Sequence, residues 1–309
     1  MVKDTHASHA ISLAGNKSEY NAHAINILSD LHILAYILKG TIPEYENMSV
    51  FEIISTIDGT PEIQSIPVHV REVLNGDKND DVVPNEGTTR FDIRFHVYIP
   101  FKGEKVKLLI NLEAQQDFNP HYDLVTRSIY YGARMISSQH GTEFINDNYN
   151  DIKNIYSIWI CTDVPNYAKN TITQYKIHQE KVLGDFKRKH RYDILNIVFL
   201  CLGDTTQEDL PQYLNMLTVA LGNHIDVEEK KRRLKNEFEI PMTIEFEREI
   251  NEMCNLADAI ERQGIEQGIE QGIIAMVETL RELDQSDERI AEKLKEKFNL
   301  KENEIKKYL

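Results

Sequence analysis

The chain has 309 residues, 41% hydrophobic and 28% charged, which is enough for one large domain with an appendage around a sizeable core. Its formal net charge of −15 excludes a surface coated for nucleic acid, though not a local basic groove. No apolar run approaches the ~18–20 residues of a membrane span, and the opening MVKDTHASHAISLAGNKSEY lacks the apolar stretch of a signal peptide. Residues 1–24 read as a flexible polar tail. In NILSDLHILAYILKGTIPEY (26–45), Leu28, Leu31, Leu34, Ala35 and Leu38 fall at helical spacing, which predicts a helix that stops at Gly40. SVFEIIS predicts a second, short helix, and residues 58–89, rich in Gly, Pro, Asn and Asp, predict a long irregular loop. RFDIRFHVYI (90–99) and KVKLLINLEAQ (105–115) read as strands, followed by a helix near 121–139. NIYSIWICT (154–162), NTITQYKIHQE (170–180) and DILNIVFLCLG (193–203) are further strands, and the chain from about 206 onward is helical. A central sheet with helices on its faces is the economical architecture.

Three cysteines, Cys161, Cys201 and Cys254, lie far apart and have no metal-ligand spacing. Cys161 and Cys201 each end an apolar run and read as buried thiols, which fits a reducing, cytoplasmic setting. Two basic runs, KRKHR (187–191) and KKRRLK (230–235), are either solvated faces or parts of a local basic groove.

INLEAQQDF (110–118) places a carboxylate and an amide two residues apart at the end of an otherwise apolar strand. The link PFKGEK centres between Lys102 and Gly103, so positions summing to 205 lie opposite one another. That register pairs Phe91 with Ala114, Ile93 with Leu112, Phe95 with Ile110 and Val97 with Leu108, all apolar. A slip of one residue would mix the two faces. The other face then sets Asp92 opposite Glu113 and Arg90 opposite Gln115. Like charges directly opposite one another destabilise a sheet unless a cation lies between them. The pair is therefore a site for a hard divalent cation with oxygen ligands, or a solvated hairpin face neutralised by Arg90 and Arg94.

An Asp on one strand, about twenty residues, then Glu-x-Lys on the next strand and a following helix is the PD-(D/E)XK nuclease pattern, which Asp92 and LEAQ resemble. EGTTRFDIRF, INLEAQQDF, TRSIYYGARMISSQHGTEF, IYSIWIC and EFEIPMT, followed by NEMCNLADAIERQGIEQGIEQGI, are similar in order to PD-(D/E)XK nuclease family transposases, relatives of the recombination-promoting nucleases. The resemblance runs from about residue 25 to 275. It implies an α/β, restriction-endonuclease-like core, a mixed central sheet flanked by helices, with a helical C-terminal extension. It further implies Asp92 and Glu113 as ligands of Mg²⁺ (or Mn²⁺), with the backbone carbonyl of Ala114 as a third. Gln115 stands where the general pattern has lysine. Glutamine orients water but supplies neither a positive charge nor a base, and Arg94 is a candidate for the missing charge. Glu86 is the candidate upstream acid, with Glu44 as its rival.

On the following helix, Arg127, Tyr131 and Arg134 fall at i, i+4 and i+7 on one face. Arg127 and Tyr131 are candidates to hold phosphate or the Gln115 side chain, or they form the polar side of an amphipathic helix. His96 shares the face of Asp92 and Arg94 and reads as structural, and Trp159 reads as core.

GIEQGIEQGII (264–274) repeats with period four inside an amphipathic pattern. It reads as a glycine-striped helix that another helix approaches closely, most simply from a second chain, with a flexible hinge as the rival reading. SDERIAEKLKEKFNLKENEIKKYL forms a small helical tail capped by Ser286. The expected organisation is a tail (1–24), a nuclease-like domain (25–240), a long helix (241–274) and a helical tail (275–309). The expected function is Mg²⁺-dependent DNA cleavage in recombination or transposition by a homodimer joined through its C-terminal helices. The alternative is a binding or assembly module on a nuclease scaffold that has lost catalysis, as the missing lysine and the acidic charge suggest.

Overall fold

The computed structural model describes residues 6–63, 80–83, 87–101, 104–184 and 190–309. In chain order the elements are α1 (His6–Leu28), α2 (Leu31–Thr41), α3 (Val50–Ile54), β1 (Ile57–Ile63), β2 (Asp80–Val83), β3 (Gly87–Arg90), β4 (Ile93–Phe101), β5 (Glu104–Asp117) and α4 (Leu124–Ser137). There follow β6 (Asn154–Asp163), β7 (Thr171–Lys176), β8 (Leu195–Cys201), α5 (Gln212–Leu221), α6 (Val227–Glu237), α7 (Ile244–Glu282), α8 (Asp287–Phe298) and α9 (Glu302–Ile305). The chain divides into two compact units. One is Glu19–Cys254, and the other joins the start of the chain, up to Ser18, to Asn255–Leu309.

The larger unit is built on a six-stranded sheet in the order β1-β4-β5-β6-β8-β7. β5, β6 and β8 run parallel, while β1–β4, β4–β5 and β7–β8 are antiparallel pairs. The hairpin register is the expected one: Ile93 faces Leu112, Phe95 faces Ile110 and Val97 faces Leu108. These residues, with Ile158, Ile160, Val198 and Leu200 further along the sheet, form one wholly buried face.

The other face is covered over β6 and β8 by α4, the crossover between parallel β5 and β6. Asp123 caps α4 by accepting the Thr126 N–H at 2.6 Å. Of its buried positions, Leu124, Ser128, Gly132 and Met135 fall on one stripe. A Cβ on Gly132 would collide with Leu195 and crowd Ile155, so this glycine lets α4 close on the sheet. β7 is the outer strand and is mostly exposed.

Several expectations are corrected. The polar tail is instead the helix α1, whose Tyr20, Ala24, Ile27 and Leu28 are buried at helical spacing. His23 and Asn26 bind Glu249 at 2.6 and 3.0 Å, anchoring α1 to the start of α7. From that anchor the helix propagates back through a segment rich in Ala and Ser. The 26–45 helix is interrupted at Ser29–Asp30, because the Asp30 carboxylate caps α2 through the N–H groups of His32 and Ile33. α2 does not stop at Gly40 but runs to Thr41, and Gly40 is where the Tyr213 ring of α5 lies too close to admit a Cβ. SVFEIIS is α3, with a capping box between Ser49 and Glu52. The expected loop at 58–89 contains β1, which pairs with β4, and a separate β2–β3 hairpin.

In the smaller unit, α7 carries Gly264, Gly268 and Gly272 within one continuous helix, not a hinge, and continues past 274 to Glu282. Asn16 of α1 donates to Gln263 at 3.2 Å. The end of α7 folds against α8 and α9 around Ile273, Val277, Ile290, Leu294 and Ile305. Gly272 faces Phe298 of α8, whereas a Cβ added at Gly264 or Gly268 would meet no other part of the described chain within 4 Å.

Candidate active site

β3 ends at Arg90 and β4 begins at Ile93, so Phe91 and Asp92 leave the hairpin ladder. This corrects two expected pairs, Phe91 with Ala114 and Arg90 with Gln115. Phe91 turns its ring to the α4 side, into a cluster with Leu109, Met135 and Ile155 and edge-on to Tyr131. Burying an aromatic ring outweighs continuing the ladder by two residues. Arg90 pairs with Asp80 in the β2–β3 ladder instead.

The bend delivers Asp92 to the edge of β5. Its Oδ2 accepts the Ala114 N–H at 2.9 Å, replacing the ladder bond that the bend removes, and its own N–H donates to Glu113 Oε1 at 3.3 Å. Asp92 and Glu113 are thus brought together as the register implied, but by a side chain that caps a strand and not by opposed ladder positions. In an antiparallel pair, a residue that turns its N–H to the neighbouring strand turns its C=O there too. The Ala114 carbonyl therefore lies on the Asp92 side of β5.

Glu113 is 3% exposed. Burial and the neighbouring Asp92 charge push its carboxyl well above the usual range, against the pull of Arg127, the Asn111 amide and the Asp92 N–H. Burial pushes Asp92 up to about 6, against the Ala114 N–H and Arg127. Both carboxyls therefore sit where ionisation is costly without a counter-charge.

Gln115 lies two residues beyond Glu113 on the same face, but its amide donates to the Asp117 carbonyl along its own strand. Arg127, one turn into α4, donates from Nη1 to the Tyr122 hydroxyl at 2.8 Å and from Nη2 to the Tyr131 hydroxyl at 2.9 Å. Its guanidinium carbon lies 4.9, 5.3 and 5.6 Å from the ring centres of Tyr131, Trp159 and Tyr122. Burial opposes its charge, yet the Tyr131 hydrogen bond and the field of Glu113 leave its pKa raised. Beneath the pair, the Ser157 hydroxyl accepts from Trp159 Nε1 at 2.9 Å and from the Asn111 amide at 3.5 Å. Asn111 Oδ1 is buried without a hydrogen-bond partner among the described residues.

Arg94 stacks over the Phe91 ring at 4.9 Å and makes a further interaction. His96 binds Asp58 of β1 and meets Tyr98 edge-on, in keeping with a structural role. Arg134 is buried further along α4. Glu44 is exposed on the 3-10 turn Pro43–Tyr45 and acts on Tyr156, which alternation along β6 places on the face opposite Glu113, so it does not join the site. Glu86 lies outside the described residues. Sequence reasoning missed Tyr122 and Asn111. The signal for Asn111 was its period-2 step from Glu113, and for Tyr122 no periodic signal exists, since it lies in the loop before α4.

The donor set at the pair is all oxygen: two carboxylates, the carbonyl edge at Ala114 and the unpartnered amide oxygen of Asn111 nearby. It suits a hard divalent cation, and the close, costly carboxylate pair is what such a cation would neutralise. No group of three His, Cys, Asp or Glu with metal-binding geometry occurs among the described residues, so the backbone would have to complete the set.

A mixed sheet whose central strand carries Glu-x-Gln, with an Asp brought to it from the bend before the adjoining strand and a crossover helix beside both, defines a PD-(D/E)XK nuclease fold. The model of the PD-(D/E)XK nuclease family transposases matches residues 68–271, about two thirds of the chain, and the chain belongs to that family. No curated protein and no solved structure matches it. No helix among the described residues is long and apolar enough to cross a membrane.

Proposed function

We propose that the chain is a metal-dependent DNA endonuclease that hydrolyses phosphodiester bonds in recombination or transposition. The observation that carries this reading is the meeting of Asp92 and Glu113 at the end of β5, both held in an environment that favours a bound cation. Asp92, Glu113 and the Ala114 carbonyl would hold Mg²⁺ or Mn²⁺, which supplies water activation and charge neutralisation at the phosphate. Gln115, once released from the Asp117 carbonyl, is placed to orient the attacking water through its amide. The buried free thiols Cys161 and Cys201, neighbours in the β6–β8 register, suit a reducing cytoplasm. The test is nicking of a supercoiled plasmid by the purified chain with Mg²⁺, with Mn²⁺ and with chelator. Conversion that persists in chelator would end the metal-dependent reading.

The proposal includes a homodimer through α7. Gly264 and Gly268 together cost on the order of 2 kcal/mol of helix propensity relative to Ala. They lie beside Ile265 and Ile269, which are 55% and 48% exposed. A second copy packed on that stripe would cover the isoleucines and use the bare glycine surface for close approach. Light scattering on the full chain at tens of micromolar should give twice the chain mass, and Gly268→Glu should give the monomer mass. A monomeric wild type would overturn the dimer.

A further inference from the structure

The motif lysine is replaced by Gln115, whose amide is neutral and engaged with the Asp117 carbonyl. The charge that stabilises a phosphate under attack must then come from elsewhere. Arg127 is fixed by two tyrosine hydroxyls and flanked by three aromatic rings, so its position is set before any ligand arrives. Those two bonds use two of its five N–H donors, leaving three for an incoming oxyanion. Among the described residues it forms no ion pair, although its field reaches both Asp92 and Glu113. A guanidinium tethered through hydroxyls, not neutralised by a carboxylate, keeps its full charge for a ligand.

We propose that Arg127 is the phosphate-binding cation of this site, taking from α4 the role that lysine at position 115 plays in the general motif, with Tyr122, Tyr131 and Trp159 as its positioning residues. The assignment rests on the nuclease reading above. A non-bridging oxygen of the scissile phosphate would accept from the remaining N–H groups of Arg127, and Asp92 and Glu113 would hold the divalent cation that neutralises charge at the same phosphate. The charge is aimed where it grows during attack, which is where a fixed donor gains most.

The experiment measures cleavage of a plasmid and of an oligonucleotide duplex by the full chain in Mn²⁺, with circular dichroism and melting as fold controls. Arg127→Ala should lower kcat by about 10²–10³-fold, and Arg127→Lys should lose less. The decisive variant is Arg127→Ala combined with Gln115→Lys. A lysine restored at the motif position should recover at least tenfold of the lost rate, as should guanidinium added to Arg127→Ala. A merely structural arginine would show neither recovery. An Arg127→Ala variant as fast as an active wild type, or a loss that neither treatment recovers, overturns this assignment alone. A wild type inactive with every divalent metal overturns the nuclease reading and this assignment with it.

Discussion

Asp92→Asn and Glu113→Gln should each abolish metal-dependent cleavage and, in the metal-free protein, raise stability near neutral pH. On the proposed reading the catalytic loss follows from removing a ligand of a cation that would contribute several kcal/mol of charge stabilisation, about three orders of magnitude or more in rate. The stability gain follows from the raised carboxyls. A folded-state carboxyl that holds its proton more tightly than in the unfolded chain contributes stability that is fully present below the ordinary carboxylate range. That stability is lost as pH rises through the folded value, about 6 for Asp92 and well above the ordinary carboxylate range for Glu113. The metal-free wild type should therefore be less stable at pH 7.5 than at pH 5 by on the order of a few kcal/mol, with a correspondingly lower melting temperature, and the two variants should flatten that slope. Mg²⁺ or Mn²⁺ at pH 7.5 should restore the wild-type melting temperature and leave the variants unmoved, since only ionised ligands bind the cation. Parallel pH slopes in wild type and variants, with no metal-induced shift, would remove the physical basis of the site independently of any activity assay.

Trp159→Ala is expected to be among the most destabilising single truncations in the larger unit, at about 3–5 kcal/mol. Its side chain is fully buried, stacks on Phe199 at 5.7 Å and 16°, and meets Tyr131 at 5.6 Å. Truncation leaves a cavity between α4 and the sheet and removes the shorter of the two hydrogen bonds that the buried Ser157 hydroxyl accepts. It also removes one wall of the Arg127 cage. Trp159→Phe keeps most of the packing and loses the Nε1 donor, so denaturant unfolding should place it between Ala and wild type. If Trp159→Ala unfolds within 1 kcal/mol of wild type, the packing account of α4 on β6 and β8 is wrong.

The β4–β5 hairpin was legible because its buried face alternates without exception from Ile93 to Val97 against Leu108 to Leu112, and a register error would have exposed that face. Its end was not legible. Phe91 leaves the ladder for a cluster supplied by α4 and β6, residues more than forty positions away, and no local pattern announces that competition. The Asp92–Glu113 meeting was readable as proximity, while the N–H of Ala114 as its clasp was not. Arg127 and Tyr131 were readable from their four-residue spacing. That Tyr122 completes the cage depends on how the loop after β5 folds back on α4. α1 was missed because its first half is small and polar, and the residues that fix it, Glu249 above all, lie at the far end of the larger unit's sequence.

The acids and their cation belong to different folding events. One hairpin, a local structure that closes in about 1–10 μs, already carries Asp92 and Glu113 to neighbouring positions, before the bend at Phe91 is fixed. Arg127 is secured only when α4 lies against β6 and β8, and parallel pairing of that kind must first close a long loop. For part of the folding reaction the two carboxyls are therefore adjacent with no guanidinium near them. The cost of that proximity grows as packing buries the pair; a proton taken up at mildly acidic pH relieves it, whereas at neutral pH the chain must bury two adjacent charges. Stopped-flow refolding should accordingly be faster at pH 5 than at pH 7.5 in the wild type. The difference should vanish in Asp92→Asn, and if it persists there its origin lies outside the pair.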